Sequence, residues 1–484
     1  MIPPSPKYYY VREVDYCSGA ALLVPRGLFA SLGGFDPRYA PAYFEDSDLA
    51  FRLREAGYKV LYEPRAVVEH LEGVSHGTDP KHGIKACQDL NRDTFVARWA
   101  DLLATQRYKP GTPAQRARDR AQARRIVLVI DHRVPEPDRD AGSRTMLAFV
   151  QALLQAGAVV KFWSNCPVAS PVHEAALQAL GVEVPRGSWR GFADWISLNG
   201  PVLNHVLLSR PDVAEQYLPL LRRYSRAGVA VYGHDLHHVR LRQQAIATRD
   251  PRIARAAERM LRLERRVWRA ADVVFYPSQA EADRVTDLEP VVVARAVQPY
   301  GFADFAQPRR PARRQMLLFV AGFAHPPNED AACWLARDIM PLVHLQAPLA
   351  RLVIVGSHPT ERVRELAHLG VTIVANVSDA ELGEWYAMAR VAIIPRRQGA
   401  GVKRKVVEAL RGGLPLVTTP VGAQGLPGLY ALASVCDTAE TIAASIVALL
   451  GDDDLWAARS EAGIAYARAH FSIATLRTSL CLAM

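Results

Sequence analysis

The segment 395–415 reads Pro-Arg-Arg-Gln-Gly-Ala-Gly-Val-Lys-Arg-Lys-Val-Val-Glu-Ala-Leu-Arg-Gly-Gly-Leu-Pro, and it holds the residues best placed to do chemistry. An apolar run ends at Pro395, a glycine loop follows, and the spacing predicts a helix beginning near Val402. Glycines at 399 and 401 remove side chains where a backbone must come close to a ligand. A helix N-terminus presents unpaired N–H groups and a positive dipole end to an anion. Lys403 and Lys405 then fall in the first helical turn, where the same dipole disfavours cations. A bound diphosphate would offset that penalty. The plainer alternative leaves the lysines in water and lets the glycines only turn the chain. Glu408, among Val406, Val407, Ala409 and Leu410, needs hydrogen-bond donors in such apolar company. Ribose hydroxyls would supply them, and so would Arg404 four residues earlier. No G-x-x-x-x-G-K and no G-x-G-x-x-G is present, which argues against a P-loop NTPase and a dinucleotide-dependent dehydrogenase.

Two further loops carry polar side chains just after apolar runs. In 131–144, Gly142 and Ser143 open a helix where a phosphate or an acceptor would sit, although Asp140 and Ser143 also read as ordinary capping. In 232–238, Tyr-Gly-His-Asp-Leu-His-His gathers three histidines, a spacing too common by chance to declare a metal site.

The elements that must position these loops repeat a beat of short β-branched run, turn and amphipathic stretch. Strands are predicted at 126–131, 159–163, 203–209, 229–232, 273–276 and 291–294, then at 317–321, 352–356, 371–375, 391–395, 415–418 and 434–436. The runs are continuous in Val, Ile and Leu rather than alternating, as strands buried on both faces of a parallel sheet require. The fold class is therefore α/β, with two tandem Rossmann-like doubly wound domains and ligands at the carboxyl ends of the strands. Proline-containing basic seams divide the chain into a segment 1–108, a linker 109–123, a lobe 124–302, a linker 303–315 and a lobe 316–484. The first segment is poorer: a strand at 16–24, helices near 26–32 and 46–56, and strands at 58–62 and 66–70 make an incomplete domain.

Bulk properties set limits. With 484 residues, half of them hydrophobic, the chain can bury several cores without disulfide or metal staples. Its six cysteines show no paired spacing, so reduced thiols in a cytoplasmic setting are expected. No apolar run approaches the ~20 residues needed to span a bilayer, and no secretory signal is visible at the start. The net charge of +10 suits nucleotides or a membrane surface; arginines without interleaved aromatics do not suggest nucleic acid.

The motif run gives a specific resemblance. Phe319–Phe323 with His325-Pro326-Pro327-Asn328, then 353–356, 399–410 and 413–419, resemble the donor lobe of family 4 glycosyltransferases, and the likeness extends from about residue 124 to the end. The resemblance implies the GT-B fold, with the active site in the cleft between lobes, retaining chemistry and no required cofactor. Gly322, Gly399, Gly401, Lys403, Lys405 and Glu408 would bind the donor, with Glu408 on its ribose. The loop carrying His234 and Asp235 would face the reacting sugar. Ala400 stands where the family often has a glutamate, and no basic pair follows Gly322, so Lys403 and Lys405 would stand in.

In the first segment, 33–37, 44–49, Arg52, 57–60, Pro64 and His70 resemble the acceptor half of family 2 glycosyltransferases, of GT-A fold. That likeness would make Asp46 a catalytic base beside Glu45 and His70 a metal ligand. The nucleotide half of that family does not precede it, so a divalent metal (Mg or Mn) is expected only for a complete family 2 domain. No family 2 activity is expected, and the segment should be dispensable for chemistry. The expected partners are a nucleoside-diphosphate sugar and a glycan or lipid-linked acceptor in surface polysaccharide synthesis. The expected location is the cytoplasm, peripheral to the inner face of the membrane. A sugar-nucleotide epimerase and a non-catalytic glycan-binding scaffold are the competing readings.

Overall fold

The structure, a computed structural model, describes residues 8–69, 86–106, 113–121, 124–166, 168, 170–185, 189–308, 314–399 and 401–483. His70 and Ala400 lie outside the described residues. The chain divides into two compact units, one of Met1–Val134, Gly157–Leu207 and Pro219–Gly228, the other of Pro135–Ala156, Leu208–Leu218 and Val229–Met484.

Continuous apolar runs become parallel strands, as their burial demands. β1 (Arg12–Glu13) and β2 (Leu61–Tyr62) form a short antiparallel pair in the first segment. β3 (Ile126–Asp131), β4 (Val159–Ser164), β5 (His205–Ser209), β6 (Gly228–Tyr232), β7 (Val273–Tyr276) and β8 (Ala294–Ala296) make a six-stranded sheet in the order β4-β3-β5-β6-β7-β8. β9 (Met316–Gly322), β10 (Arg351–Ser357), β11 (Thr372–Ala375), β12 (Val391–Ile394), β13 (Leu416–Thr418) and β14 (Ser434–Val435) make the second, β11-β10-β9-β12-β13-β14. Both are Rossmann-like parallel sheets, as the hydrophobic runs require. Every residue of β3, β12 and β13 is buried. The strand expected at 291–294 sits instead at Ala294–Ala296, because Val291 is 86% exposed and the run turns before it pairs.

Register fixes where loops emerge. β9 and β10 pair from Arg351 with Met316 to Ser357 with Gly322, so Gly322 stands at the carboxyl edge. At Gly356 a Cβ would lie 1.8 Å from the Ala321 carbonyl oxygen, so only glycine permits that approach. Helix Ile473–Ala483 packs on helix Ala141–Gln155. The Phe302 N–H donates to the Phe471 carbonyl and the Ile473 N–H to the Phe302 carbonyl.

The first segment departs from expectation at two strands. Residues 16–24 form a 3-10 turn, Gly19–Ala21, rather than a strand. The Gly19 N–H donates to Asp46 and the Ala20 N–H to Ser18, and such side-chain acceptors compete with sheet formation. Residues 66–69 are irregular. Helix Glu45–Glu55 forms as read, and helix Cys87–Arg98, which sequence patterning did not reveal, completes a small core of Tyr39, Phe51, Phe95 and Trp99. Residues 113–121 of the first expected linker fold as well. Lys161 of β4, fully buried, pairs with Asp119 at 2.7 Å and with Glu183, and the Tyr10 hydroxyl donates to Asp119 at 2.8 Å.

Candidate functional site

At the carboxyl end of β12 the chain enters an arginine, not a water-facing loop. Arg396 is 5% exposed; its guanidinium donates to the Gln398 carbonyl at 2.9 Å and to Asn328 Oδ1. Lys405 Nζ donates to the same Asn328 oxygen at 3.0 Å, and Asn328 Nδ2 donates to the Gly322 carbonyl at 2.6 Å. Lys403, 7% exposed, donates to the Gly401 carbonyl at 2.6 Å. Gly322, Asn328, Arg396 and Lys405 thus form one hydrogen-bonded cluster, and Lys403, bonded to Gly401, lies within electrostatic reach of Arg396. Gly399 packs against it: a Cβ there would lie 2.6 Å from Arg396 Nη2. Gly399 and Gly401 both have positive φ, 129° and 71°.

Three buried cations in one place disturb each other. Burial, and then the neighbouring Arg396, lower the Lys403 ammonium to about 7. Burial and the same guanidinium push Lys405 well below its ordinary range. His325, which precedes the helix carrying Asn328, is lowered by burial and by Arg396. Such a cluster gains from an anion that restores the charge balance. The sequence placed Lys403 in the first helical turn; the structure makes it the N-cap of helix Arg404–Arg411, with extended φ and ψ and no side-chain cap. The helix begins two residues later than expected, at Arg404, and Gly401 before it turns in the left-handed region.

Glu408 accepts from Arg404 Nε at 2.6 Å, so the i, i+4 pair is formed. It also lines a cavity of about 470 Å³ with Tyr386, Arg144 and Asp379. Arg144 grips Asp379 with both terminal nitrogens, at 3.1 and 3.2 Å.

His234 follows β6 with φ of 57°, a strained region for a side chain of this kind. Its Nε2 lies 2.8 Å from Ser209 Oγ, and its ring meets Tyr232 edge-on. A Cβ on Gly142 would stand 3.5 Å from His234 Cε1 and 2.7 Å from Arg210 Nη2; one on Gly401 would stand 3.9 Å from the His234 carbonyl oxygen. Gly142, His234 and Gly401, far apart in sequence, are therefore neighbours. Ser143 donates to and is capped by Asp140, as ordinary capping predicts. Asp235 is turned to its own helix, at 2.9 Å from Arg240 Nε and 3.2 Å from His237 Nε2. His238 pairs with buried Glu264 at 2.6 Å. Among the described residues no group of three or more His, Cys, Asp or Glu is arranged to hold a metal ion.

A second cavity, about 230 Å³, adjoins the glycine loop and is lined by Leu236, Val239, Gln243, Ser278, Glu281 and Gly401. Burial raises the Glu281 carboxyl, which accepts from Ser278 Oγ at 2.7 Å. In the first segment, Asp46 accepts from the Gly19 and Ser47 N–H groups at 2.7 and 2.6 Å. Glu45 Oε2 is buried with no partner among the described residues.

Arg396, Asn328 and Ser209 were not singled out from sequence. Arg396 stood inside the quoted motif but was one of many arginines, and only burial distinguishes it.

Comparison with known proteins gives a family match and a fold likeness. Residues 314–452 match the family model described as Glycosyl transferases group 1. Among solved structures, Anabaena Alr3699/HepE in complex with UDP and glucose is similar at 15% identity and TM-score 0.53, covering 74% of this chain and 98% of that one. A glycosyltransferase from Rickettsia africae is similar at 14% identity and TM-score 0.54, covering 74% and 97%. At such identities the likeness shows the fold. The N-terminal region is similar to the N-acetylglucosaminyl-diphospho-decaprenol L-rhamnosyltransferase of Mycobacterium tuberculosis, 45% identical over 75 residues, 16% of this chain and 24% of that protein. The chain thus spans about a quarter of the length of that curated relative. Residues 314–452, which include the strands of the second Rossmann-like parallel sheet, are thus the part of the chain that matches the group 1 glycosyl transferases.

Proposed function

We propose that this protein transfers a sugar from a nucleoside-diphosphate sugar to a glycan or lipid-linked acceptor in surface polysaccharide synthesis. The observation that carries the reading is the cluster of Arg396 and Lys405 on Asn328, with buried Lys403 beside Arg396, at the carboxyl end of a parallel sheet. Arg396, with Lys403 and Lys405 protonated as the anion binds, would take the diphosphate and stabilise it as the leaving group, so that no metal is required. Glu408 would hold ribose hydroxyls in the 470 Å³ cavity, and His234 would face the transferred sugar, with Asp235 held behind it by Arg240 and His237. The donor would be a hexosyl nucleotide and the reaction retaining. UDP and glucose bound to the Anabaena structure, and the rhamnosyltransferase likeness of the N-terminal region, support a nucleotide sugar and a surface glycan. No described helix is long and apolar enough to cross a membrane, and the enzyme would meet a lipid-linked acceptor peripherally at the cytoplasmic face. Ala400, where the resembling family often has glutamate, favours a second reading: donor or glycan binding without turnover.

A panel of nucleotide sugars tested by thermal shift discriminates these. A ligand at 100 times its Kd should stabilise the chain by about 2.7 kcal/mol. Stabilisation with transfer to acceptor supports the enzyme; stabilisation without any turnover supports the scaffold. No response to any nucleoside diphosphate would remove the donor site.

A further inference from the structure

Helix Pro251–Ala270 carries Arg252, Arg255, Arg259, Arg262, Arg266 and Arg269. The intervals are three or four residues throughout, which lines the six side chains along one face over about 25 Å. All six are exposed, while Ala257, Val267 and Trp268 on the other side are buried. The helix has two acids, of which Glu258 is exposed at the edge of the stripe near Arg262. Glu258 pairs with Arg242 at 2.6 Å, and Glu264 is buried against His238.

Like charges at such spacings oppose helix formation, and cations near a helix N-terminus oppose its dipole. Arg266 pairs with Glu215 and Arg269 with Glu289, which neutralises the C-terminal end. Arg252, Arg255, Arg259 and Arg262 form no ion pair among the described residues. Just before them, Ile246 is 77% exposed and Arg249 is exposed. A row of arginines with an exposed aliphatic residue, and no exposed aromatic, matches a flat anionic surface that an apolar side chain can enter. It does not match a base-stacking groove.

We propose that this arginine stripe docks the protein on a bilayer of anionic phospholipids. The proposal rests on the peripheral contact of the reading above and gives it a surface. The position suits the task. Helix His237–Thr248, which packs beside the stripe helix, supplies Val239 and Gln243 to the 230 Å³ cavity next to Gly401. An acceptor anchored in the bilayer would be held near that cavity.

Co-sedimentation of the full chain with vesicles tests this, using phosphatidylcholine alone and phosphatidylcholine mixed with phosphatidylglycerol. Binding is expected only to the mixed vesicles and should weaken with salt. The combined Arg255→Gln, Arg259→Gln and Arg262→Gln change should lower it by about 100-fold. Nucleoside diphosphate affinity should stay unchanged, and the melting temperature should hold or rise as repulsion is removed. Arg259→Glu alone gives an independent check and should weaken vesicle binding. Vesicle binding that survives the triple change would overturn the stripe while leaving peripheral contact intact. Binding to neither vesicle would overturn both, and the nucleotide measurements would still judge the donor site. Tighter binding to single-stranded nucleic acid than to mixed vesicles, lost in the triple variant, would assign the stripe to that partner instead.

Discussion

Glu408 has two claims on its carboxylate: the Arg404 guanidinium, which it contacts, and the ribose that the cavity would admit. The claims separate experimentally. Glu408→Gln removes a charged acceptor, so nucleotide affinity should fall by about 1.5–3 kcal/mol by calorimetry. Loss of an i, i+4 pair should change stability by only about 0.3–0.5 kcal/mol. Unchanged nucleotide affinity would leave Glu408 as Arg404's partner and nothing more. Lys403 supplies a pH test. Its ammonium is lowered from 10.5 to about 7, chiefly by burial. Between those values the unfolded chain keeps a proton that the folded chain has released, so stability should rise with pH across that window. A diphosphate favours the charged lysine, so its affinity should fall as pH rises through about 7, with proton uptake on binding. Calorimetry in buffers of different ionisation enthalpy measures that uptake. A pH-independent affinity would show that Lys403 does not meet the phosphate.

At the scale of the element, helix Arg404–Arg411 begins without a side-chain cap because a lysine occupies the N-cap position. Serine there would accept from a first-turn N–H and add about 1 kcal/mol. Lys403→Ser also removes a buried cation beside Arg396. The chain should therefore melt about 2–4 °C higher or more, while nucleoside diphosphate binds more weakly and bare nucleoside is unaffected. Opposite signs for stability and affinity are what a residue retained for ligand binding gives. A loss of both would mark Lys403 as structural.

At the scale of the molecule, the first segment is built into its unit rather than appended. Lys161, Asp119, Glu183, Arg118 and Tyr10 share one buried network, and the Val11 N–H donates to the Gln178 carbonyl at 3.0 Å. Asp119→Ala should cost about 3–5 kcal/mol, because it leaves buried cations short of a partner. A chain beginning at Arg124 lacks Tyr10, Arg118 and Asp119 together, and should melt lower and aggregate more than the full chain. Equal or greater stability of the shortened chain in a melting scan would overturn the reading of the segment as an integral part of its unit. Its nucleotide site, made of residues after 124, should still bind donor in the cold.

The sequence by itself determined the two parallel sheets, because strands buried on both faces must be written as unbroken Val, Ile and Leu runs, and β3, β9, β10 and β12 are. It also determined the glycine loop and the helix that follows, since positive φ at 399 and 401 needs glycine. Tertiary structure alone decided which polar residues meet. Asn328 reaches Arg396 and Lys405 across about 70 residues of chain, and Gly142, His234 and Gly401 converge from three separate elements. Arg396 looks like any other arginine in the sequence, because burial is a property of the packed sheet and not of the residue. The 113–121 seam misled for the same reason. Charged residues read as solvated unless opposite charges come to them, and Lys161 and Glu183 do so only in the fold.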